Sequence, residues 1–231
     1  MTDITDEELQ LRQRAKDDFP YFAEKCLKIR PKTGRVRAFK LNAVQRRIHE
    51  QAEDQLQRTG KVRKLVLKAR QPGVSTYVEG RFYWRTIHAK GLRTFILTHK
   101  DEATENLFEM AKRFHANNNP LLQPQTERSN AKELKFRVLD SSYRVGTAKA
   151  EGVGRSDTIQ LFHGSEVAHW PNAEKHAAGA LQAVPNADGT EVWLESTANG
   201  ASGLFYEMVL QAEAGCGEYE LIFIPWLITG P

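Results

Sequence analysis

Four short stretches of the sequence carry residue types whose spacing could do chemistry, and the first points toward phosphate. Lys68-Ala-Arg70-Gln71-Pro-Gly73-Val74-Ser75-Thr76 follows an alternating apolar run over 62–69 and precedes a helical pattern. In an α/β sheet, anions sit where a strand turns into a helix whose first N–H groups are unpaired. Against the phosphate-loop pattern G-x-x-x-x-G-K-[ST], Gly73 fills the second glycine and Ser75 the metal-holding hydroxyl. Val74 stands in the lysine slot and Lys68 in the first glycine slot. Such a loop needs a glycine for close backbone approach, a hydroxyl for the metal and a cation for the phosphates. Lys68 and Arg70 can supply the cation from the other end of the loop. The plainer alternative is an ordinary turn with Ser75 capping the helix.

The second stretch, Thr158-Ile-Gln-Leu-Phe-His163-Gly-Ser165-Glu166, reads as an apolar strand ending in an acid. A carboxylate there can polarise water beside a phosphate loop; the adjacent metal-orienting acid position holds Ser165. His163, His169 and His176 are spaced by six and seven, which fits no helical metal motif, so they read as structural. The third stretch, Glu151-Gly-Val-Gly154-Arg155-Ser156-Asp157, is a glycine-containing loop presenting an arginine. Read alone it is a turn or an arginine finger that stabilises charge on a transferred phosphoryl group. The fourth, Glu195-Ser196-Thr197-Ala198-Asn199-Gly200, places small polar residues at a strand end. They suit hydrogen bonding to a γ-phosphate, or a loop capping the helix near Ser202.

The elements that must position these residues follow from periodicity. Thr5-x-x-Glu8 is a capping-box pattern that opens a helix toward Asp18. Pro20 ends or restarts it, a second helix covers 21–27, and the basic stretch 29–39 reads as a loop. A helix runs from Asn42 to a stop at Gly60. Then strands over 62–69 and 92–98 alternate with helices over 75–89 and 101–117. Segments 133–139 and 143–147 form a hairpin. Strands over 158–162, 191–195 and 219–224 alternate with helices near 172–183 and 203–213. Alternating strands and helices predict an α/β architecture, a mostly parallel sheet with helices on both faces.

Composition narrows the class. The 231 residues suit one good-sized domain. Cys26 and Cys216 stand alone, which excludes a disulfide framework or a zinc ribbon. The longest apolar run, Leu221–Ile228, contains Pro225 and is far short of the ~20 residues a membrane helix needs. The net charge of +4 hides a patch: eight Lys/Arg and no acid lie between Lys28 and His49. Lys32, Arg35, Arg37 and Lys40 are its candidate DNA contacts, binding phosphates without sequence preference. A solvated flank, or a surface docking on an acidic neighbour, explains the patch equally well. Lys61, Arg63 and Lys64 would extend it toward the loop.

Together, in this order and spacing, Lys68–Thr76, Gly152–Asp157, His163-Gly-Ser-Glu-Val-Ala-His-Trp170 and Glu195–Gly200 resemble the ATPase domain of the large terminase subunit of tailed double-stranded DNA phages. The resemblance covers about 39–226. It implies a P-loop NTPase fold of ASCE type, with the catalytic glutamate on its own strand. The expected division is a helical, basic segment over 1–38, an ATPase domain over 39–226 and the start of a linker over 227–231.

The resemblance also implies roles. Lys68 looks like the displaced lysine of a deviant Walker A loop and Arg70 like the arginine common there. Gln71, Gly73, Val74 and Thr76 complete a nucleotide-binding loop with Ser75, which would hold Mg²⁺. Glu166 resembles the catalytic carboxylate, Arg155 a trans-acting arginine finger, and Ser196, Thr197 and Asn199 the motif that couples hydrolysis to movement. Gln45 looks like the glutamine that reads adenine. Expected cofactors are ATP and Mg²⁺. Expected partners are double-stranded DNA, the portal protein, the small terminase subunit and further copies in a ring, with a monomer when isolated. The expected setting is the cytoplasm of a host bacterium, away from membranes, as a phage or prophage protein. Family members continue into a nuclease domain where this sequence ends, so no DNA cleavage is expected of this chain. Val74 and Ser165 depart from the pattern and motivate a second reading, a non-hydrolysing remnant that binds DNA or partner subunits. A helicase-type translocase is a third.

Overall fold

Local capping sets the helix boundaries at the N-terminal end. In the computed structural model, which describes residues 5–31, 33–148 and 158–225, α1 (Asp6–Asp17) opens on the Thr5–Glu8 capping box. Asp18 caps α2 (Phe19–Cys26), and Pro20 falls in its first turn, where its missing N–H has no helical partner to lose. The stretch expected to be a loop contains two short strands instead. β1 (Lys28–Ile29) and β2 (Arg37–Ala38) pair antiparallel, too short a ribbon for any periodicity to register. α3 (Ala43–Thr59) opens on a second capping box, Asn42 with Gln45, and stops at Gly60 with φ 74°.

The α/β part follows: β3 (Val62–Lys68), α4 (Val74–His88), β4 (Arg93–Thr98), α5 (Asp101–Ala116), β5 (Thr126–Ser129), β6 (Glu133–Phe136) and β7 (Ser141–Thr147). Beyond them come β8 (Leu161–Ser165), a 3-10 turn over Val167–His169, α6 (Ala173–Gln182), β9 (Glu191–Ser196), α7 (Leu204–Glu213) and β10 (Glu220–Ile224). Eight strands form one sheet in the order β10-β3-β9-β8-β4-β7-β6-β5. The first six run parallel, and β6 and β5 close the far edge antiparallel. The sequence pattern missed β5, whose four residues are all exposed and carry no apolar alternation.

The sheet buries both faces, so each strand alternates between two cores. Val62, Val66, Leu161 and Trp193 face α3, α4 and α5, together with α1 and α2. Leu65, Phe162, Val192 and Leu194 face α6 and α7. Each such large apolar side chain, fully buried, contributes about 1.5–3 kcal/mol. Buried charge fixes α4 on its face. Arg81 is inaccessible to solvent and pairs with Glu191 of β9 (2.9 Å) and with Glu53 of α3, while Arg85 also reaches Glu191.

β8 lies three residues further along than its apolar pattern predicts. His163, Gly164 and Ser165 lie past the expected end at 162 but are the buried last residues of the strand. Gly164 is needed there because Trp170 and Leu194 pack where a side chain would stand; a Cβ would lie 2.8 Å from Leu194 Cδ2. The shift puts Leu161, His163 and Ser165 on the α4 side of the sheet. No helix among the described residues is long and apolar enough to cross a membrane.

Candidate functional site

Three neighbouring parallel strands end together: β3 at Lys68, β9 at Ser196 and β8 at Ser165. β9 lies between the other two, with Glu195 in register with Val66 on one side and Ser165 on the other. The period of two places Lys68, Glu195, His163 and Ser165 on the face covered by α4. The backbone that leaves β3 bends through Gln71 (φ 67°) and Gly73 (φ 82°) into α4. A Cβ on Gly73 would stand 2.8 Å from Gln45 Nε2 and displace that amide, and the left-handed backbone favours glycine.

α4 begins with no side-chain cap, which answers the question of whether Ser75 merely caps the helix. Its first N–H groups therefore remain available to an anion. The Ser75 hydroxyl instead donates to Glu195 Oε1 at 2.7 Å. Val74, in the lysine slot, is buried in the core beside Tyr77 and Val78. The ammonium comes from Lys68, whose Nζ is 2.7 Å from Glu166 Oε1 and 3.0 Å from Glu195 Oε2. Burial alone would lower the Lys68 pKa, but the two carboxylates outweigh it and raise it. Arg70 and Gln71 are exposed on the loop, and Thr76 is half-buried in the first turn of α4.

Glu166 follows β8 in a left-handed conformation (φ 55°, ψ 47°), uncommon for a residue with a side chain. Its position is held from several sides. Oε2 accepts from Thr197 N (3.2 Å), Thr197 Oγ1 (3.3 Å) and Ser196 Oγ (3.4 Å). His169 Nε2 in turn lies 3.1 Å from Thr197 Oγ1, and Asn199 Nδ2 donates to the Ala168 carbonyl (2.9 Å). The 196–199 segment therefore grips Glu166 and the turn after it. α7 starts at Gly203 without a side-chain cap, so these small polar residues are not spent on capping it.

Gln45 is buried and ties helix to loop. Its Nε2 donates to the Gly73 carbonyl (2.8 Å) and its Oε1 accepts from Asn42 N (3.0 Å). These bonds leave one N–H and one lone pair of the amide for a further partner.

Three charged residues of the site were not singled out from the sequence. Glu195 is fully buried and collects Ser75 Oγ, Ser165 Oγ (2.9 Å), Lys68 and His163 Nε2 (3.4 Å). Burial would raise its pKa, but the His163 ring and the Lys68 ammonium hold it down at about 2. His163, read as structural, joins Glu195 to Glu79 of α4, its Nδ1 2.7 Å from Glu79 Oε1. Burial opposes its protonation, yet the two carboxylates push its pKa up to about 9. Glu79 also accepts from the Tyr143 hydroxyl of β7, so a buried polar chain crosses beneath the loop. The available signal was acids at 191 and 195 inside an apolar strand, since a buried charge must have partners.

Other expected residues lie apart. Arg155 and Lys32 fall outside the described residues. Arg35, Arg37 and Lys40 are exposed, Arg37 on β2. Lys61, Arg63 and Lys64 do not extend that basic surface. Arg63 and Lys64 are buried, and all three pair with acids at or just before the start of β10: Lys61 and Arg63 with Glu218, Lys64 with Glu220. Their charges neutralise neighbouring carboxylates instead of facing solvent. Among the described residues no three His, Cys, Asp or Glu side chains form a metal cluster.

No protein-family model matches the sequence, and no curated protein matches it. Solved structures do match. The large terminase of bacteriophage HK97 superposes with a TM-score of 0.71 at 14% identity, covering 90% of this chain and 43% of that one. The ATPase domain of the large terminase of Thermus phage P74-26 gives 0.57 at 15% identity, over 80% of this chain and 81% of that one. The large terminase of the thermophilic bacteriophage D6E gives 0.55 at 12%, over 70% and 40%. In complex with ADP the D6E protein gives 0.53 at 10%, over 69% and 39%. The chain spans less than half the length of the HK97 and D6E proteins. It has the fold of phage large terminase ATPase domains, an α/β P-loop fold.

Proposed function

We propose that the chain is the ATPase motor domain of a DNA-packaging terminase, hydrolysing Mg-ATP to move double-stranded DNA into a procapsid. One observation carries the reading: Lys68, Ser75, Glu166 and the 196–199 segment converge at the carboxyl edge of β3, β8 and β9, beside an uncapped helix N-terminus. The fold shared with terminases, one of them solved with ADP, supports it.

Each side chain has a task its surroundings suit. Lys68 and Arg70 bind phosphate oxygens, with the first N–H groups of α4 and the close approach that Gly73 allows. Gln45 offers its remaining amide donor and acceptor to adenine. Gln71, Val74 and Thr76 contribute backbone to the cradle. Glu166, partly exposed, takes a proton from water, and its hydrogen bonds to Ser196 and Thr197 keep the carboxylate aimed. Because Asn199 grips the Ala168 carbonyl, a shift of this segment moves Glu166 with it, which is a route from hydrolysis to domain movement. Arg155 completes the site from a neighbouring subunit. Ser75 fits a magnesium ion, since its proton is donated to Glu195 and its lone pairs are left for a cation. When bound, that ion neutralises charge on the phosphate oxygens.

The partners follow from the same reading: double-stranded DNA along Lys32, Arg35, Arg37 and Lys40, the portal protein, the small terminase subunit, and a ring of copies that dissociates to monomers in isolation. The setting is the cytoplasm of a host bacterium, encoded by a phage or prophage. The test is DNA-stimulated phosphate release from Mg-ATP, with ATP binding measured in parallel for wild type, Glu166→Gln and Lys68→Ala. Release that Glu166→Gln abolishes supports the motor. Binding without release in the wild type favours a non-hydrolysing remnant.

A further inference from the structure

The acid that normally accompanies a catalytic glutamate at a strand end is missing here; Ser165 stands in its place. We propose that Glu195, from the neighbouring strand β9, replaces it as the residue that positions the metal of the nucleotide site. The inference rests on the nucleotide reading above and assigns a role that the loop motifs do not.

A serine hydroxyl that holds a cation must turn its lone pairs toward the ion and give its proton to something else. Outer partners of this kind fix ligand orientation and raise ligand basicity. Ser75 Oγ gives its proton to Glu195 Oε1 at 2.7 Å. Ser165 Oγ donates to the same oxygen at 2.9 Å, so the serine that replaces the acid fastens the substitute carboxylate. Glu195 is wholly buried, and its Oε2 accepts no hydrogen bond although Lys68 Nζ stands 3.0 Å away. The Lys68 ammonium thus faces one oxygen of the carboxylate and the two serine hydroxyls the other. His163, clamped between Glu79 and Glu195, holds the carboxylate from behind. Magnesium bound with nucleotide takes only one or two protein groups beside phosphates and water, so one hydroxyl backed by one carboxylate suffices.

The exchange of an acid on β8 for an acid on β9 is geometrically simple. Ser165 and Glu195 are register partners on adjacent parallel strands, on one face. The longer side chain, starting one strand nearer to β3, reaches Ser75 where a residue at 165 would otherwise have to.

The experiment measures binding of a fluorescent ADP to the full chain with Mg²⁺ and with EDTA, and titrates Mn²⁺ by its free-ion paramagnetic signal in the presence of ADP. The wild type is expected to bind ADP more tightly with metal. Glu195→Gln should lose about 10- to 100-fold in metal affinity. The double variant Ser165→Asp/Glu195→Gln, which returns a carboxylate to β8, should recover most of the metal affinity; a purely structural role for Glu195 gives no reason for that rescue. Glu195→Asp keeps the charge that Lys68 and His163 require but withdraws it from Ser75 by one methylene. It should fold and still bind metal weakly, which decides the matter if Glu195→Gln fails to fold. Undiminished metal affinity in a folded Glu195→Gln or Glu195→Asp protein overturns the inference and leaves the nucleotide reading intact. Absence of ADP binding by the wild type, with or without metal, overturns both.

Discussion

Lys68 Nζ lies 2.7 Å from Glu166 Oε1, joining the loop expected to hold phosphate directly to the carboxylate expected to act on water. The pair spans two strands that are not neighbours, since β9 runs between them, and it forms because both strands end at one level. Lys68 therefore has two duties. It is a buried cation of the site, beside the His163 ring, and it stands against Glu166.

Lys68→Ala should weaken ATP binding by about 10- to 100-fold, the loss of one or two charge-assisted hydrogen bonds at about 1.5–3 kcal/mol. It also leaves Glu195, which is wholly buried, without its ammonium, so the melting temperature should fall. Lys68→Arg restores charge but not the compact geometry, and should recover stability better than binding. Calorimetric titration beside thermal unfolding separates the two effects. Unchanged ATP affinity in Lys68→Ala would remove the lysine from the phosphate site.

Glu166→Gln should reduce phosphate release by about 10²- to 10⁴-fold, the usual contribution of a general base. ATP binding should change little, because the amide oxygen can still accept from Thr197. Thr197→Val removes one hydroxyl donor to Glu166 and should lower kcat by about tenfold, the worth of one such hydrogen bond, with KM nearly unchanged. A Thr197→Val enzyme whose KM rises while kcat holds would place Thr197 on the nucleotide instead of on the carboxylate.

The parts legible in the sequence were those whose signal is local. Capping boxes at Thr5 and Asn42 and the alternation in β3 mark their elements because each rule spans a few residues. Lys68, Ser75 and Glu166 come together in space as their positions after strands suggested. Glu195 was placed at the end of its strand, but nothing local showed that its side chain faces Lys68 and Ser75. His163 was read as structural, and its setting between Glu79 and Glu195 appears only once the strand is paired with its neighbours. Both partnerships depend on which face a strand residue takes, and so on register, which no local pattern contains.

Gly73→Ala should destabilise more than a comparable glycine replacement elsewhere. Gly91 has a similar backbone (φ 70°) with nothing within 4 Å of an added Cβ, so Gly91→Ala carries only the backbone strain, about 1–2 kcal/mol. At Gly73 the same strain is joined by a Cβ 2.8 Å from Gln45 Nε2, which breaks the bond from Gln45 to the loop. Denaturant midpoints should therefore fall further for Gly73→Ala, and ADP binding should weaken in that variant alone. Equal losses in both would show that the contact with Gln45 contributes nothing.

Acid should reach the fold through Glu191 only at low pH, where the buried carboxylates are finally protonated. Glu191 is fully buried, and burial by itself would raise its pKa; Arg81 and Arg85 outweigh that and hold it at about 2, against a usual value of 4.5. The folded state thus keeps the carboxylate ionised where the unfolded chain would bind a proton. The stabilisation is complete above pH 4.5 and drains away as pH falls through about 2. It amounts to on the order of 3 kcal/mol at neutral pH. His49, held near 4 chiefly by burial and then by Arg81, drains earlier, between its usual 6.5 and that value, and below pH 4 Glu191 shares the window with Glu195, which is also held at about 2. Glu191→Gln should lower stability at pH 7 by about 3–5 kcal/mol, since two guanidiniums lose the buried carboxylate they share. It should also flatten the dependence of unfolding free energy on pH between about 4.5 and 2. Urea unfolding of both proteins across that range reads the slope directly. A variant that loses stability as steeply as the wild type there would mean that the acid-labile bond lies elsewhere.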